Sequence, residues 1–301
     1  MRILLLHNPR AGSGEPDAET LTRAFRQEGH RVRYHSTKAG GLSEALDQPA
    51  DVIALAGGDG TLRKIFRKLA GRPRIPVLVL ALGTANNIAR SLGCSRPWKE
   101  SIAALQWLDP HPFQFGRINC GTSEDCFFES VGTGVFATLL HLAERDPRFI
   151  DLLSRGRKGF ERDFAALARL AADMPSMEIL LSSETGEFRD HCLWMEVMNI
   201  PSIGPHLEIA PVACMEPGPG VHIVLVPQAY RQALVSYFEI RMNHGEASFP
   251  GIHWKWGPEV TISCPGGEYH VDDEPETTTD DRPPLIISRA TDPLIVLGHR
   301  V

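Results

Sequence analysis

The sequence lacks the features that mark a metal-stapled, secreted or membrane-spanning chain. Its six cysteines (Cys94, Cys120, Cys126, Cys192, Cys214, Cys264) are scattered and form no C-x-x-C pair. Neither a zinc site nor a disulfide framework is indicated, and reduced thiols in a cytoplasmic protein are expected. No apolar run approaches the roughly 20 residues that a bilayer-spanning helix needs. The stretch Met1-Arg2-Ile3-Leu4-Leu5-Leu6-His7 is too short for a secretory signal, so any lipid contact is expected to be peripheral. Excess positive charge is missing too: the formal net charge is -6, which argues against nucleic acid as a partner. No internal repeat or low-complexity linker is evident. What is present is ordinary globular composition, 43% hydrophobic over 301 residues, a length that suggests two domains.

The most informative stretch is Asp51-Val52-Ile53-Ala54-Leu55-Ala56-Gly57-Gly58-Asp59-Gly60-Thr61. Its apolar run reads as a buried strand that enters a glycine-rich turn, with a helix expected over 62–70. Gly57, Gly58 and Gly60 let a backbone or an anion approach closely, and the start of the next helix supplies unpaired N–H groups and a positive dipole end. Thr61 is expected as its N-cap. Asp59 points to chemistry, because a carboxylate in an anion-binding turn repels phosphate unless it carries a metal, accepts a proton or bonds a hydroxyl.

Around this stretch, strands and helices alternate. Ile3 to Leu6 is a short strand ending in Asn8-Pro9-Arg10-Ala11-Gly12-Ser13-Gly14, and a helix follows over 17–28. Arg31 to His35 suits a second strand leading to Ser36-Thr37-Lys38. Pro76 to Leu82 is another buried strand and ends in Gly83-Thr84-Ala85-Asn86-Asn87, before a helix over 88–92. Continuous apolar strands between helices imply a parallel sheet whose ligand crevice lies at the strands' carboxyl ends. The rhythm changes near residue 116. Gly132-Thr133-Gly134 follows a strand and leads into an apolar helix. The span 145–172 reads as helical and locally basic, with Arg155, Arg157, Lys158 and Arg162 beside Phe149, Leu152, Leu153 and Phe160. Such a face suits either an anionic membrane surface or an ordinary amphipathic helix. From Met177 onward strands dominate, separated by Gly/Pro turns, with an acidic loop over 272–281.

Read together, Asn8 to Gly12, Gly57-Gly58-Asp59-Gly60-Thr61 and Gly83-Thr84-Ala85-Asn86-Asn87-Ile88-Ala89-Arg90 resemble the diacylglycerol kinase catalytic-domain family. That family includes bacterial lipid kinases and sphingosine kinases and is distantly similar to NAD kinases. Val131-Gly132-Thr133-Gly134, Ile209 to Ala213 and Val271-Asp272-Asp273-Glu274-Pro275 extend the likeness along the chain. The resemblance implies an α/β plus β fold. A Rossmann-like parallel α/β domain would occupy 1–115 and a β-sandwich-like domain 116–301, with the sites between them and the last strands returning toward the first domain. It implies ATP with Mg²⁺, bound by Asn8, Pro9, Arg10, Ala11, Gly12, Thr37, Gly57, Gly58, Asp59, Gly60, Thr61, Lys64, Thr84 and Asn86. Asp272 would be the general base toward a lipid hydroxyl, Glu274 its companion, and Asp59 an organiser of nucleotide or metal-bound water. The implied acceptor is diacylglycerol, a sphingoid base or a phospholipid headgroup, and a homodimer is compatible with the likeness.

The departures from the family pattern share one direction. Arg63-Lys64 replaces Asn-Glu, Asn87 replaces an Asp, Gln114 stands where an Asp is common, and Pro217 where an Asp-Gly turn is. Asp273 stands in place of glycine, and Ala11 in place of serine. The metal ligands are thereby reduced, while Lys64 brings a positive charge toward the phosphates. A non-catalytic nucleotide- or lipid-binding protein on the same fold is the alternative reading.

Overall fold

The computed structural model describes residues 1–145, 156–263, 267–277 and 283–298, with residues 156–159 described by backbone only. The chain forms two compact units, Met1–Gln114 with Asp292–Val301, and Phe115–Thr291.

The first unit is built on a six-stranded sheet in the order β2-β1-β3-β4-β19-β5. Strands β1 (Arg2–His7), β2 (Arg31–Ser36), β3 (Val52–Gly57), β4 (Val77–Ala81) and β19 (Leu294–Gly298) run parallel, while β5 (Asp109–Phe113) is antiparallel to β19. Residues Ile3 to Leu6 and Val52 to Ala56 are buried along their whole length, which is why they read as unbroken apolar runs. Helix α1 (Ala18–Gln27) connects β1 to β2 and is capped by the Asp17 carboxylate, which accepts from Thr20 N–H. Helix α3 (Asp59–Leu69) connects β3 to β4 and buries Leu62, Ile65, Phe66 and Leu69, the apolar face expected from their spacing. Each such side chain contributes about 1.5–3 kcal/mol. The chain leaves β1 toward one side of the sheet order and β3 toward the other. The ends of these two strands therefore flank the switch point where α/β sheets open a crevice. The short helices α2 (Leu42–Leu46) and α5 (Trp98–Ala103) fall outside the sequence reading, being too brief to show a period.

The β-sandwich-like expectation for the second unit takes the form of one eleven-stranded sheet. The strand β10 (Gly186–Met198) is its spine. Its first half pairs with β9 (Met177–Ser183), and its second half with β8 (Ser130–Gly134) and β13 (His222–Pro227). A register shift between Cys192 and Trp194 turns Leu193 and Trp194 toward the same side. Val131, Ile179, Leu181, Val197, Ile223, Val260, Ile262 and Ile287 gather from strands across the sheet into one cluster, so the sheet curls over its own face. The opposite face is covered by α6 (Val135–Arg145), α7 (Gly156–Asp173) and α8 (Arg231–Met242), which pack Phe136, Leu167 and Phe238 around Trp194.

Gly132-Thr133-Gly134, read as a connector to a helix, lies inside β8, and α6 begins only at Val135. The acidic loop is in part a hairpin, with β16 (Glu268–Val271) pairing β17 (Glu274–Thr277). Residues 278–281 of that loop, and Phe149, Leu152, Leu153 and Arg155 of the basic span, lie outside the described residues. So do the side chains of Arg157 and Lys158, whereas Arg162 is exposed on α7. Among the described residues no helix is long and apolar enough to cross a membrane. The five described cysteines are free thiols, and four of them are buried.

Two buried groups in the second unit give it opposing pH responses. Burial pushes the Asp163 carboxyl on α7 up to about 7. The folded state therefore keeps a proton that the unfolded chain releases near pH 4, and stability falls as pH rises from about 4 to 7, by on the order of 4 kcal/mol. Burial, then the charges of His253, Lys255 and Arg289, push His222 down to about 4. Here the unfolded chain binds the proton first, so stability falls as pH drops from about 6.5 to 4, by on the order of 3 kcal/mol. The two slopes oppose one another between pH 4 and 6.5. Asp163→Asn is expected to remove one of them, so that urea midpoints exceed the parent's at pH 8 and converge on it near pH 4. Equal midpoints at pH 8 would show that the carboxyl is not held neutral.

Candidate active site

Three turns meet at the carboxyl ends of β1, β3 and β4, all within the first unit. Asn8 N–H donates to Ala56 O at 2.9 Å, and Leu82 N–H to Gly57 O at 2.9 Å, which ties each turn to the strand beside it. Gly58 and Gly83 pack back to back: a Cβ on Gly58 would lie 2.8 Å from Gly83 Cα, and one on Gly83 would lie 2.5 Å from Gly58 Cα. Gly12 has φ +55, and a Cβ there would meet Leu82 O at 2.3 Å. These glycines are required by backbone contact, not by flexibility. Gly83→Ala is accordingly expected to push the two turns apart and weaken nucleotide binding by at least about tenfold, on the order of 1.4 kcal/mol. Titration with a fluorescent ATP analogue measures this, and unchanged affinity would show that the turns do not need to touch.

Asp59 and Asn86 fix the remaining geometry. The Asp59 carboxylate accepts from Asn87 N–H and Ile88 N–H, both at 3.0 Å. These amides open α4 (Asn87–Ser91), so Asp59 caps the helix that follows the neighbouring turn. The side chain expected to repel phosphate is thus held by two donors and joins the turns. Asn86, in left-handed conformation at φ 53, closes its own turn, receiving Gly83 N–H at 2.9 Å and donating to Gly83 O at 2.8 Å.

Thr61 is not the N-cap. Helix α3 starts at Asp59, after an extended Gly58 that offers no side-chain bond, and the Thr61 hydroxyl instead accepts from the Asn8 amide at 2.9 Å. Extended glycine performs the turn that the Asp-Gly-Thr sequence suggested would run further.

These turns enclose a cavity of about 360 Å³. Of the residues expected to bind nucleotide, Asn8, Ala11, Thr37 and Lys64 line it, together with Gly58, Asp59, Gly60 and Thr61. Pro9, Arg10 and Gly12 belong to the adjoining β1 turn, where Arg10 N–H is held by the Asn8 side chain at 3.1 Å. Gly57 lies at the end of β3, and Thr84 is exposed on the Gly83 turn. Lys38 and Gly83 also line the cavity, although sequence reasoning assigned them no role. Their signal was available: both sit in loops already placed at the crevice edge. Lys64 reaches from α3 to the carbonyl of Thr37 at 3.2 Å, so two lysines and the start of an eleven-residue helix face the space, a donor set suited to polyphosphate. It does not suit a metal held by the protein. Among the described residues, the one carboxylate lining the cavity, Asp59, accepts from two backbone amides, and no three His, Cys, Asp or Glu side chains converge.

In the second unit Asp272 is buried, with φ 56. Its N–H donates to Ser130 O at 2.7 Å, and its Oδ1 accepts from Phe128 N–H at 2.9 Å and Glu129 N–H at 2.7 Å. Glu274 begins β17 and is exposed, while Asp273 is half-buried. The left-handed turn is therefore built around Asp272, while Glu274 stands on the strand that follows it.

A crossed parallel α/β unit followed by a curled antiparallel sheet is the architecture of the diacylglycerol kinases and NADH kinase. The chain superposes on a diacylglycerol kinase from Bacillus anthracis str. Sterne with TM-score 0.70 at 18% identity, covering 99% of this chain and 97% of that one. Yeast NADH kinase gives TM-score 0.58 at 10% identity over 100% and 84%. Residues 2–118 match the family model described as the diacylglycerol kinase catalytic domain, a span that contains the Asn8, Gly57 and Gly83 turns. A Pseudomonas aeruginosa protein named "Probable lipid kinase YegS-like" is 35% identical over 125 residues. That match spans 39% of this chain and 40% of the relative's length.

Proposed function

We propose that this protein is an ATP-dependent kinase that transfers the γ-phosphoryl group to a lipid hydroxyl. The observation that carries the reading is the cavity at the switch point, where three turns locked by Asp59, Gly58 and Gly83 present helix N–H groups and two lysines. The match of residues 2–118 to the diacylglycerol kinase catalytic domain supports it. The nucleotide's phosphates occupy this cavity, with Lys64 and Lys38 neutralising charge that grows on the leaving phosphates. Asp272 takes the proton of the acceptor hydroxyl. The freed oxygen forms a bond to the γ-phosphorus, the bond from that phosphorus to the bridging oxygen breaks, and ADP leaves. Magnesium carried by the nucleotide would supply further neutralisation of the phosphate charge. The lipid is presented at a membrane surface by peripheral contact.

The test is transfer of label from γ-labelled ATP to mixed micelles carrying diacylglycerol, a sphingoid base or phosphatidylglycerol, with and without magnesium. A labelled lipid of one class is the expected result. Nucleotide binding with no labelled lipid across the panel would overturn the kinase reading and leave the binding-protein alternative.

A further inference from the structure

A row of three residues crosses strands β16, β8 and β10, with His270 opposite Gly132 and Gly132 opposite Glu196. Gly132 leaves the middle of the row open: a Cβ there would lie 2.2 Å from the Glu196 carboxylate. Across that opening His270 Nε2 meets Glu196 Oε1 at 2.7 Å. Trp194 Nε1 donates to the same oxygen at 2.8 Å. The two paired side chains are 0% and 1% exposed. At its other edge, His270 Nδ1 meets the carbonyl oxygen of Asp272. A carbonyl only accepts, so Nδ1 carries hydrogen, and a carboxylate opposite Nε2 calls for a second. Burial pushes His270 down, but the Glu196 charge and the two acceptors outweigh it, and the net shift is upward.

Asp272 is a non-glycine residue at φ 56, a conformation that costs on the order of 1–2 kcal/mol and persists only where surroundings impose it. We propose that Glu196 and His270 are positioning residues for Asp272. A buried imidazolium, held by Glu196 through the gap over Gly132, grips the Asp272 carbonyl and sets the left-handed turn that aims its carboxyl. This gives the Gly132 position a purpose that neither the nucleotide cavity nor the β-strand itself requires. The inference rests on the reading of Asp272 as the base that serves the acceptor.

The test uses the full chain labelled with ¹⁵N. In the parent protein at neutral pH, both ring nitrogens of His270 are expected to carry hydrogen. In Glu196→Gln, the backbone amide signals of Phe128 and Glu129, which report the Asp272 carboxyl, are expected to shift. Lipid phosphorylation should fall about 10- to 100-fold in kcat, with the nucleotide KM within about two-fold of the parent. Trp194→Phe, which removes one donor to Glu196, is the milder variant and should move the same amides less. A singly protonated His270 in the parent overturns the proposal, as do unmoved amides with unchanged kcat in both variants. If the parent transfers phosphate to no lipid, the kinase reading fails by itself, and the ring and amide signals still decide the positioning role.

Discussion

Asp272→Asn is expected to lower phosphoryl transfer to lipid by about 10²- to 10⁴-fold, the usual worth of a general base. Nucleotide affinity and thermal stability should stay near the parent's. The substitution isolates one property. An asparagine oxygen can still accept from Phe128 and Glu129 N–H, as Asp272 Oδ1 does at 2.9 and 2.7 Å, and asparagine tolerates the left-handed backbone better than most residues. What it cannot do is take up a proton. Glu274→Gln should lose only a few-fold, because Glu274 is exposed on β17 and a surface carboxylate is screened by water. Single-turnover transfer from labelled ATP, with ATP-analogue affinity measured beside it, separates these effects. Full activity in Asp272→Asn would remove Asp272 from the chemistry.

The parts of this molecule that were legible in the sequence are those that depend on short-range pattern. Strands β1, β3 and β4 are buried on both faces and so are written as uninterrupted apolar runs, and the turns after them carry glycines because their backbones touch. Helix α3 showed its buried face through Leu62, Ile65, Phe66 and Leu69. Other features depend on residues far apart in the chain. Helix α8 has apolar residues on several sides, and no single stripe distinguishes it from the strands around it. The partnership of Glu196, Gly132 and His270 exists only because three distant strands pair in one register, so no local spacing encodes it. The start of α3 was misplaced for a subtler reason. Asp-Gly-Thr has the composition of a turn, yet Gly58 completes the turn in an extended conformation, which frees Asp59 to enter the helix and aim its carboxylate at α4.

That aim makes Asp59→Ala the most disruptive single change expected in the first unit. Both amides that the carboxylate receives belong to buried residues, Asn87 at 2% exposure and Ile88 at 0%. Removing a charged acceptor from two buried N–H groups costs about 1.5–3 kcal/mol for each, or about 3–6 kcal/mol in total. Helix α4 is only five residues long and cannot hold its own conformation, so the Gly83 turn should drift and nucleotide affinity fall by about 100-fold or more, each 1.4 kcal/mol being tenfold. Asp59→Asn should lie between, since an amide oxygen retains one bond while its NH₂ faces a donor. The ordering Asp, Asn, Ala in urea midpoint is what a capping role requires. If Asp59 served only to organise a metal or water, Asn and Ala would be equally poor in transfer and as stable as the parent. Denaturation and nucleotide titration on the three proteins decide between a carboxylate that joins two turns and one whose charge alone matters.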